Sequence, residues 1–225
     1  VAENTANTTV VGTIVATEPD AGQTKTFSVT GGTGQTAFAV SAAGVITVAN
    51  SALLNFETTP SLTLNVTVTD NGTPALSDTA VITINLTNVN EAPVVNAAGP
   101  FSIAENSANG TAVGTVTATD PDANSLVFSI TGGNTNGAFA INGSTGAITV
   151  ANGAALDFEA APQFVLTVLV MDNGTPALSG SRTVVVNLTN VNEAPTLTVP
   201  ATASVPENTT TVATVTANDP DAGTT

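Results

Sequence analysis

The stretch Leu62-Thr63-Leu64-Asn65-Val66-Thr67-Val68-Thr69 decides the fold class of this 225-residue chain. Its Leu and Val residues alternate with Thr and Asn, which is the side-chain period of a β-strand with one buried and one solvated face. Helical periodicity is convincing nowhere in the sequence. The same alternation returns, mostly in shorter form, at 82–87, 113–119, 126–131, 138–141 and 147–150. The sequence therefore predicts an all-β protein.

Turn residues separate these strands at short intervals. Gly-Gly pairs occur at 31–32 and 132–133, and Asn142-Gly143 predicts a hairpin region. The Gly-Gly pairs lack the Lys and the following helix of a phosphate-binding loop, so we interpret them as turns between strands. About seven short strands for every ~100 residues is typical of an immunoglobulin-like β-sandwich.

The chain repeats itself with an offset of 102 residues, because Asp70-Asn71-Gly72-Thr73-Pro74 returns as Asp172-Asn173-Gly174-Thr175-Pro176. Five motifs recur in the same order in two copies, and a third copy begins. They are Glu-Asn at 3–4, 105–106 and 207–208; acidic-Pro-Asp at 18–20, 120–122 and 219–221; Leu-Asx-Phe-Glu at 54–57 and 156–159; Asp-Asn-Gly-Thr-Pro at 70–74 and 172–176; and Asn-Val-Asn-Glu-Ala-Pro at 88–93 and 190–195.

These repeats predict three segments: repeat 1 at 1–93, repeat 2 at 94–195 and the start of repeat 3 at 196–225. Val1 aligns with Ile103, so repeat 1 lacks the leading residues that repeat 2 has. The 30 residues of the third segment cannot bury a core by themselves. We expect either that the sequence is a window on a longer repeating chain or that neighbouring molecules complete its ends.

The composition excludes several functional classes. The chain has no Cys, His, Trp or Tyr, two basic residues and a net charge of −15. Thiolate and serine–histidine–aspartate catalysis and N/S-type zinc sites are therefore excluded, and we predict that the protein is not an enzyme. Two cations cannot neutralise phosphates or anionic lipid, so nucleic acid and direct membrane insertion are not expected. No apolar run approaches the ~20 residues of a membrane-spanning helix.

Carboxylates are the most informative residues, since all but Asp78 of the 17 lie inside the five motifs. Clustered anions repel each other by ~1 kcal/mol per pair at ~4 Å even in water, and two cations cannot offset this. A hard divalent cation can, and Ca²⁺ accepts ~6–8 oxygen ligands from separate segments more readily than Mg²⁺. The pattern therefore favours Ca²⁺ binding.

Simpler roles exist for some of these carboxylates. Asp70 and Asp172 are as consistent with a turn role as with metal binding. The acidic-Pro-Asp motif is also consistent with a simple loop start. Glu57 and Glu159 have no turn explanation. A glycosidase that uses paired carboxylates is disfavoured, because no Trp or Tyr is present to stack on a sugar.

The five motifs, in this order, resemble those of cadherin repeats, and they are closer to the bacterial cadherin-like tandem repeats than to the animal adhesion molecules. The resemblance covers essentially the whole chain. It implies tandem seven-strand, immunoglobulin-like β-sandwiches with Ca²⁺ bound between successive repeats. The linker departs from the family pattern: Asn88 and Asn190 replace an Asp, Glu91 and Glu193 replace another, and one residue is missing. We expect weaker Ca²⁺ binding or fewer ions as a result.

Carried over by position, the resemblance implies two sets of metal ligands. The set at the first boundary is Glu3, Glu57, Asn88, Asn90 and Glu91, with Asp120, Asp122 and Asp172 from repeat 2. The set at the second boundary is Glu105, Asp157, Glu159, Asn190, Asn192 and Glu193, with Asp219 and Asp221 from the third segment. Glu18, Asp20 and Asp70 would face a further boundary.

We therefore expect a non-enzymatic extracellular stalk or fibre module, secreted or on the cell surface, which Ca²⁺ stiffens. Its expected partners are neighbouring repeats of the same chain or of like chains, including homotypic fibres. Three alternatives stay open: a metal-independent spacer, a filament subunit that polymerises by β-strand addition, and an adhesin whose loops bind a ligand.

Overall fold

The structure is a computed structural model that describes residues 1–199, 202, 204–210 and 215–221. Within these residues the regular structure consists of β-strands and three short 3₁₀ helices, which confirms the all-β prediction. None of the described helices has the length and apolar character that a bilayer span requires. The chain divides into two compact units, Val1–Glu91 and Ala92–Thr225.

The first unit contains six strands and one 3₁₀ helix, Ser51–Leu53. Strands β2, β5 and β6 form one antiparallel sheet, and β1, β4 and β3 form the other. Near the N-terminus, Ala2 makes an isolated parallel bridge to Thr87 and adds a seventh, minimal strand. The six strands are β1 (Val10–Thr13), β2 (Lys25–Gly31), β3 (Phe38–Val40), β4 (Val45–Val48), β5 (Ser61–Asp70) and β6 (Ser77–Asn85).

Strand β5 is the alternating stretch that predicted the fold, and it lies at the centre of its sheet. Leu62, Leu64 and Val66 are buried, and they share the core with residues such as Phe38 and Val48 of the facing sheet. The strand predicted at 82–87 is β6, which begins earlier, at Ser77, and ends at Asn85, because it pairs with β5 over this whole range. The burial of one strand face thus follows the sequence pattern.

The second unit has the same sandwich architecture, and two further strands, β7 and β8, precede the counterpart of β1. Its sheets are β11-β14-β15-β8 and β12-β13-β9, and β7 pairs separately with β10. The 3₁₀ helices are Thr135–Gly137 and Gly153–Ala155. The strands are β7 (Val94–Val95), β8 (Phe101–Ala104), β9 (Ala112–Thr115), β10 (Ala118–Thr119), β11 (Val127–Gly132), β12 (Phe139–Ile141), β13 (Ala147–Val150), β14 (Gln163–Met171) and β15 (Ser179–Thr189).

Two of these strands are broken because they change partners. The strand predicted at 113–119 divides into β9, which pairs with β13, and β10, which pairs with β7. The leading strand divides into β7 and β8, and β8 lies parallel to β15. Counted across these breaks, the sandwich has seven strands, as predicted.

The turns and the core agree with the sequence interpretation. Asn142 caps the β12–β13 loop, where its Oδ1 accepts hydrogen bonds from the N–H groups of Ser144 and Thr145. Gly133 has φ +72°, and a Cβ there would lie 1.8 Å from the carbonyl oxygen of Val165, so the Gly-Gly turn needs glycine. Phe139 and Phe164 pack edge to face across the core, with ring centroids 5.1 Å apart.

The second unit also contains two short strands that pair antiparallel, β16 (Thr196–Thr198) and β17 (Thr216–Asn218). All six strand residues are exposed. The predicted segment boundaries after residues 93 and 195 stay predictions.

Candidate metal centre

The first centre is built around Glu3, a carboxylate that is 2% exposed. Its Oε1 accepts a hydrogen bond from the N–H of Val89 at 2.8 Å, and its Oε2 accepts one from the N–H of Phe56 at 2.8 Å. The side chain thereby ties the N-terminal turn to the segment after β6 and to the loop before β5. Such charge-assisted bonds fix the carboxylate position.

The second centre has the same construction around Glu105, which is also 2% exposed. Its two oxygens accept hydrogen bonds from the N–H groups of Phe158 and Val191, at 2.7 and 2.8 Å. Each partner lies 102 residues after its counterpart in the first unit. The repeated sequence therefore reproduces the geometry of the centre as well as the motifs.

Two further carboxylates join each buried glutamate. In the first unit the group is Glu3, Glu57 and Glu91, and in the second it is Glu105, Glu159 and Glu193. In both groups, one oxygen from each residue lies within 4.8 Å of the others. Oxygens bound to one Ca²⁺ at about 2.4 Å can be at most about 4.8 Å apart, so the donor sets fit this ion.

Asn4 and Asn106 support these groups, although the sequence analysis did not select them. Their Nδ2 atoms donate to Oε1 of Glu91 and Glu193, each at 2.6 Å. Both residues have positive φ, 56° and 55°, which asparagine tolerates better than most residues. Their signal was present in the repeated Glu-Asn motif, where only the Glu was interpreted as functional.

The second group continues into the segment after residue 195. The N–H of Glu193 donates to Oδ2 of Asp221 at 2.6 Å, and Asp221 is 5% exposed. Asp219 is exposed, and its Oδ1 accepts a hydrogen bond from the N–H of Asp221. Oε2 of Glu193 is buried and finds no hydrogen-bond partner among the described residues. A buried carboxylate oxygen without a donor is suited to a cation.

The pKa of Glu159 is raised above its ordinary value, by desolvation and partly by the other carboxylates of this group. Local desolvation is the largest cause, although the side chain is exposed overall. The negative charges of Glu105, Glu193 and Asp221 raise the pKa further, and a backbone hydrogen bond partly opposes the shift. The group therefore destabilises its own ionised form, which a bound cation would reverse.

Asp70, the last residue of β5, and Asp172, the residue after β14, have a turn role. Oδ1 of Asp70 accepts hydrogen bonds from the N–H groups of Gly72 and Leu76, and Oδ1 of Asp172 accepts the corresponding pair from Gly174 and Leu178. Asp172 is 4% exposed. The turn interpretation thus accounts for one oxygen of each carboxylate.

Asp157 is not part of the three-carboxylate group. It is exposed, and its Oδ1 accepts a hydrogen bond from the N–H of Ala160 at 2.8 Å. Asn55 makes the equivalent bond to Thr58 in the first unit, with an uncharged side chain. The loop therefore needs an Asx oxygen at this position but not a charge.

The remaining predicted ligands are distributed as follows. Asp120 and Asp122 are half-buried; Oδ1 of Asp120 accepts a hydrogen bond from the N–H of Asn124, and its buried Oδ2 has no hydrogen-bond partner among the described residues. Asn190 donates its amide hydrogen to Oε1 of Glu159 at 2.8 Å, so it supports the group through nitrogen. Of the other linker residues, Asn88 and Asn192 are exposed and Asn90 is half-buried.

Comparison with known proteins agrees with this architecture. The chain matches the Cadherin domain family over residues 1–87 and 100–189. It is 36% identical to the protocadherin-like wing polarity protein stan of Drosophila melanogaster, over 96% of this chain and 6% of that protein. It is 33% identical to human protocadherin Fat 4, over 99% of this chain and 5% of that protein. The chain thus spans only a small part of these relatives.

Solved structures give the same result. Mouse cadherin-23 EC22-24 superposes with a TM-score of 0.70 at 28% identity, over 99% of this chain and 74% of that one. Extracellular cadherin domains 3-6 of protocadherin gamma B2 superpose with a TM-score of 0.68 over 99% of this chain and 53% of that one; at 24% identity this likeness concerns the fold alone.

Fold and site together define a protein of tandem β-sandwich repeats, in which the same three-carboxylate group occurs in both units. The chain belongs to the cadherin domain family. It is therefore an extracellular module of the adhesion class and not an enzyme, which confirms those predictions and the family resemblance. The closer likeness to bacterial-type repeats stays a prediction.

Proposed function

We propose that this chain is a stalk or fibre module whose repeat boundaries bind Ca²⁺ and are stiffened by it. The observation that carries the proposal is the duplicated carboxylate group: Glu3, Glu57 and Glu91 in one unit, and Glu105, Glu159 and Glu193 in the other. In each set, three oxygens lie within 4.8 Å of one another, which is close enough to bind one ion. The buried glutamate of each set accepts the same pair of backbone hydrogen bonds.

The charge balance supports a cation at these positions. Three carboxylate oxygens within 4.8 Å in the first unit repel each other by about 0.9 kcal/mol per pair even at the dielectric constant of water. Lys25 and Arg182 are the only basic side chains of the sequence. A doubly charged ion would add three attractions that outweigh the three repulsions, and Ca²⁺ suits an all-oxygen donor set.

Stiffening follows from where the ligands lie in the chain. Glu91 and Glu193 belong to the linkers, whereas Glu3, Glu57, Glu105 and Glu159 belong to the preceding sandwich. In the second unit, Asp221 already receives the N–H of Glu193. An ion bound by sandwich, linker and following repeat would restrict the linker dihedral angles, so a flexible string would become a rod.

The proposed ligand set is the one implied by the resemblance, with the carboxylate groups as its centre. We propose boundaries after residues 93 and 195, with Asp120, Asp122 and Asp172 completing the first site and Asp219 and Asp221 completing the second. Extracellular Ca²⁺ modules often bind at about 10⁻⁴–10⁻³ M. Linker positions Asn88 and Asn190 carry no charge, which favours the weaker end of this range. The proposed partners are neighbouring repeats of the same chain or of like chains.

Calorimetric titration of the chain with Ca²⁺, together with small-angle scattering, tests the proposal. We expect binding heat, a higher melting temperature and a longer maximum dimension in Ca²⁺ than in chelator, with a weaker response to Mg²⁺. Asp78→Asn is the matched control, because it removes one charge outside both groups. No Ca²⁺ heat and equal dimensions in both conditions would establish the metal-independent spacer instead.

A further inference from the structure

Six Asn-Gly pairs occur in the sequence, and all of them lie within the residues that the structure describes. In such a pair the main-chain nitrogen of glycine can attack the side-chain amide of the asparagine before it, because no Cβ obstructs the approach. The six asparagines are Asn71, Asn109, Asn136, Asn142, Asn152 and Asn173. The sequence of the pair is the same in all six, so the hydrogen bonds around each pair decide which one reacts.

The attacking nitrogen is already a hydrogen-bond donor in five of the six pairs. The acceptors are Oδ1 of Asp70 for Gly72, the carbonyl oxygen of Val150 for Gly110, that of Asn134 for Gly137, Oδ1 of Asn109 for Gly153 and Oδ1 of Asp172 for Gly174. The N–H of Gly143, in contrast, makes no hydrogen bond to any described residue. Only the Asn142-Gly143 pair can therefore react without first breaking a hydrogen bond of the attacking group.

The amide carbonyl of Asn142 is also the most strongly polarised of the six. Its Oδ1 accepts hydrogen bonds from the N–H groups of Ser144 and Thr145, at 2.9 and 3.0 Å. Attack on Cγ moves negative charge onto this oxygen, and two backbone donors aimed at it stabilise that charge as an oxyanion hole does. No other Asn-Gly asparagine accepts two such bonds from the described residues; those at positions 71, 109 and 173 accept one each.

The leaving group of Asn142 meets no obstacle. The side chain is exposed, and its Nδ2 donates no hydrogen bond to any described residue. At Asn152, by comparison, Nδ2 donates to the carbonyl oxygen of Asn136 at 3.1 Å. Water therefore reaches the amide of Asn142 and can carry protons to the departing nitrogen.

We infer that Asn142 is a deamidation site, at which the folded chain modifies itself with water as the only co-reactant. The main-chain nitrogen of Gly143 bonds to Cγ of Asn142, the Cγ–Nδ2 bond breaks, and Nδ2 leaves as ammonia with the proton that the glycine nitrogen loses. Water then opens the cyclic imide. Cleavage of the new N–Cγ bond gives aspartate at position 142, and cleavage of the original peptide bond gives isoaspartate.

The two products act differently on the β12–β13 loop. The N–H of Asn142 donates to the carbonyl oxygen of Ala147 at 2.8 Å, and the carbonyl oxygen of Gly143 accepts from the N–H of Phe128 at 2.9 Å. Aspartate keeps the Oδ1 acceptor and makes its two bonds charge-assisted. Isoaspartate adds one carbon to the main chain between these two anchors, so it should loosen the loop.

The corresponding loop of the first unit carries no reactive amide. Its equivalent position is Ser41, whose N–H donates to the carbonyl oxygen of Val45 and whose Oγ accepts from the N–H of Val45. Serine therefore caps this loop without the amide, and the inferred modification is confined to the second unit.

Incubation of the full 225-residue chain at mildly alkaline pH, followed by peptide mapping with mass spectrometry, tests the inference. The chain is made in a host without N-glycosylation, because Asn142-Gly143-Ser144 is also an acceptor sequence. Chelator is present, so that the result is independent of the Ca²⁺ proposal. Heavy-oxygen water labels the products formed during the incubation.

We expect Asn142 to react fastest of the six asparagines. The rate should exceed that of Asn71 and Asn173 roughly 10- to 100-fold, because their glycine N–H groups must leave a carboxylate, and that of the other three roughly 2- to 10-fold. In concentrated urea the six rates should become similar, since the protecting hydrogen bonds are lost with the fold. Another Asn-Gly pair that reacts as fast as Asn142 in the folded chain overturns the inference.

Gly143→Ala tests the attacking group without disturbing the fold. Gly143 does not have positive φ, and a Cβ there would lie 3.6 Å from the carbonyl oxygen of Phe128, which is an ordinary contact. The variant should keep the melting temperature of the chain and react at Asn142 roughly 10-fold more slowly, because the added Cβ obstructs the approach to Cγ. The other five pairs should keep their rates and serve as internal controls. An unchanged rate at Asn142 contradicts the proposed attack.

The identity of the products tests the route. Isoaspartate at position 142, detected by isoaspartate-specific enzymatic methylation, is expected only if the cyclic imide forms. Aspartate alone would overturn the inference, because direct hydrolysis of the amide by water gives no isoaspartate. Asn142→Ser, which installs the residue of the first unit, should abolish the methylation at this loop.

Discussion

Replacing Glu3 by glutamine separates its two roles, as a backbone anchor and as a metal ligand. The carboxylate is 2% exposed, and both oxygens accept backbone hydrogen bonds, from Phe56 and Val89. Glutamine has nearly the same shape, but it removes the charge and turns one acceptor into a donor. One of the two N–H groups then faces an NH₂ group and loses its bond.

Without metal, two opposing effects nearly cancel. A lost hydrogen bond to a charged acceptor costs about 1.5–3 kcal/mol. Removal of repulsion from Glu57 and Glu91, whose oxygens lie within 4.8 Å, returns about 0.9 kcal/mol per pair. We therefore expect Glu3→Gln to change the free energy of unfolding in chelator by less than about 1.5 kcal/mol.

With Ca²⁺ the loss should be larger. Binding at a dissociation constant of 10⁻⁴–10⁻³ M stabilises the folded state by about 1–2.3 kcal/mol at about 5 mM Ca²⁺. A tenfold weaker site in the variant would lose about 0.8–1.3 kcal/mol of this stabilisation. For a domain of this size, each kcal/mol lost lowers the melting temperature by roughly 4–8 °C.

Thermal melts in Ca²⁺ and in chelator measure the difference directly. Asp78→Asn serves as the charge control, and Glu105→Gln repeats the test in the second unit. Equal losses in the two conditions would refute the reasoning, because Glu3 would then act only as a backbone anchor.

Four further outcomes follow from the structure. The raised pKa of Glu159 means that its proton is bound more tightly in the folded state, so stability without metal should rise as pH falls toward that pKa and be lost as pH rises through it. Glu159→Gln should therefore melt higher than the original chain in chelator at neutral pH and lower in Ca²⁺. Asp157→Asn should leave Ca²⁺ affinity unchanged in calorimetry, since Asn55 caps the same loop in the first unit; a tenfold loss would show that Asp157 is a ligand. Leu166→Ala should cost about 2–5 kcal/mol in urea unfolding with or without Ca²⁺, because Leu166 is fully buried in the core.

The strands were predictable from the sequence where their alternation was long. Strand β5, predicted at 62–69, occupies Ser61–Asp70, and the shorter β13 occupies Ala147–Val150, as its pattern indicated. The interruption of the strand at 113–119 was not predictable, because β9 and β10 pair with different strands. Partner choice depends on long-range packing, which a local period of two does not encode.

The candidate site was predictable as a set of residues but not as a set of contacts. The repeated motifs selected Glu3, Glu57 and Glu91, and the structure brings one oxygen of each together. They also selected Asp157, whose Oδ1 caps a loop instead. The supporting amide of Asn4 was overlooked, because its role depends on a backbone conformation with positive φ.

The sequence alone determined that the chain is a tandem array of β-sandwiches with acidic residues at regular positions, since period and repetition are properties of residue order. Only the tertiary structure decided which acidic side chains meet. Glu3 contacts the backbone at residues 56 and 89, which are 53 and 86 positions away. Contacts over such separations exist only after the sheets have packed, because burial of the core fixes where the loops and linkers lie.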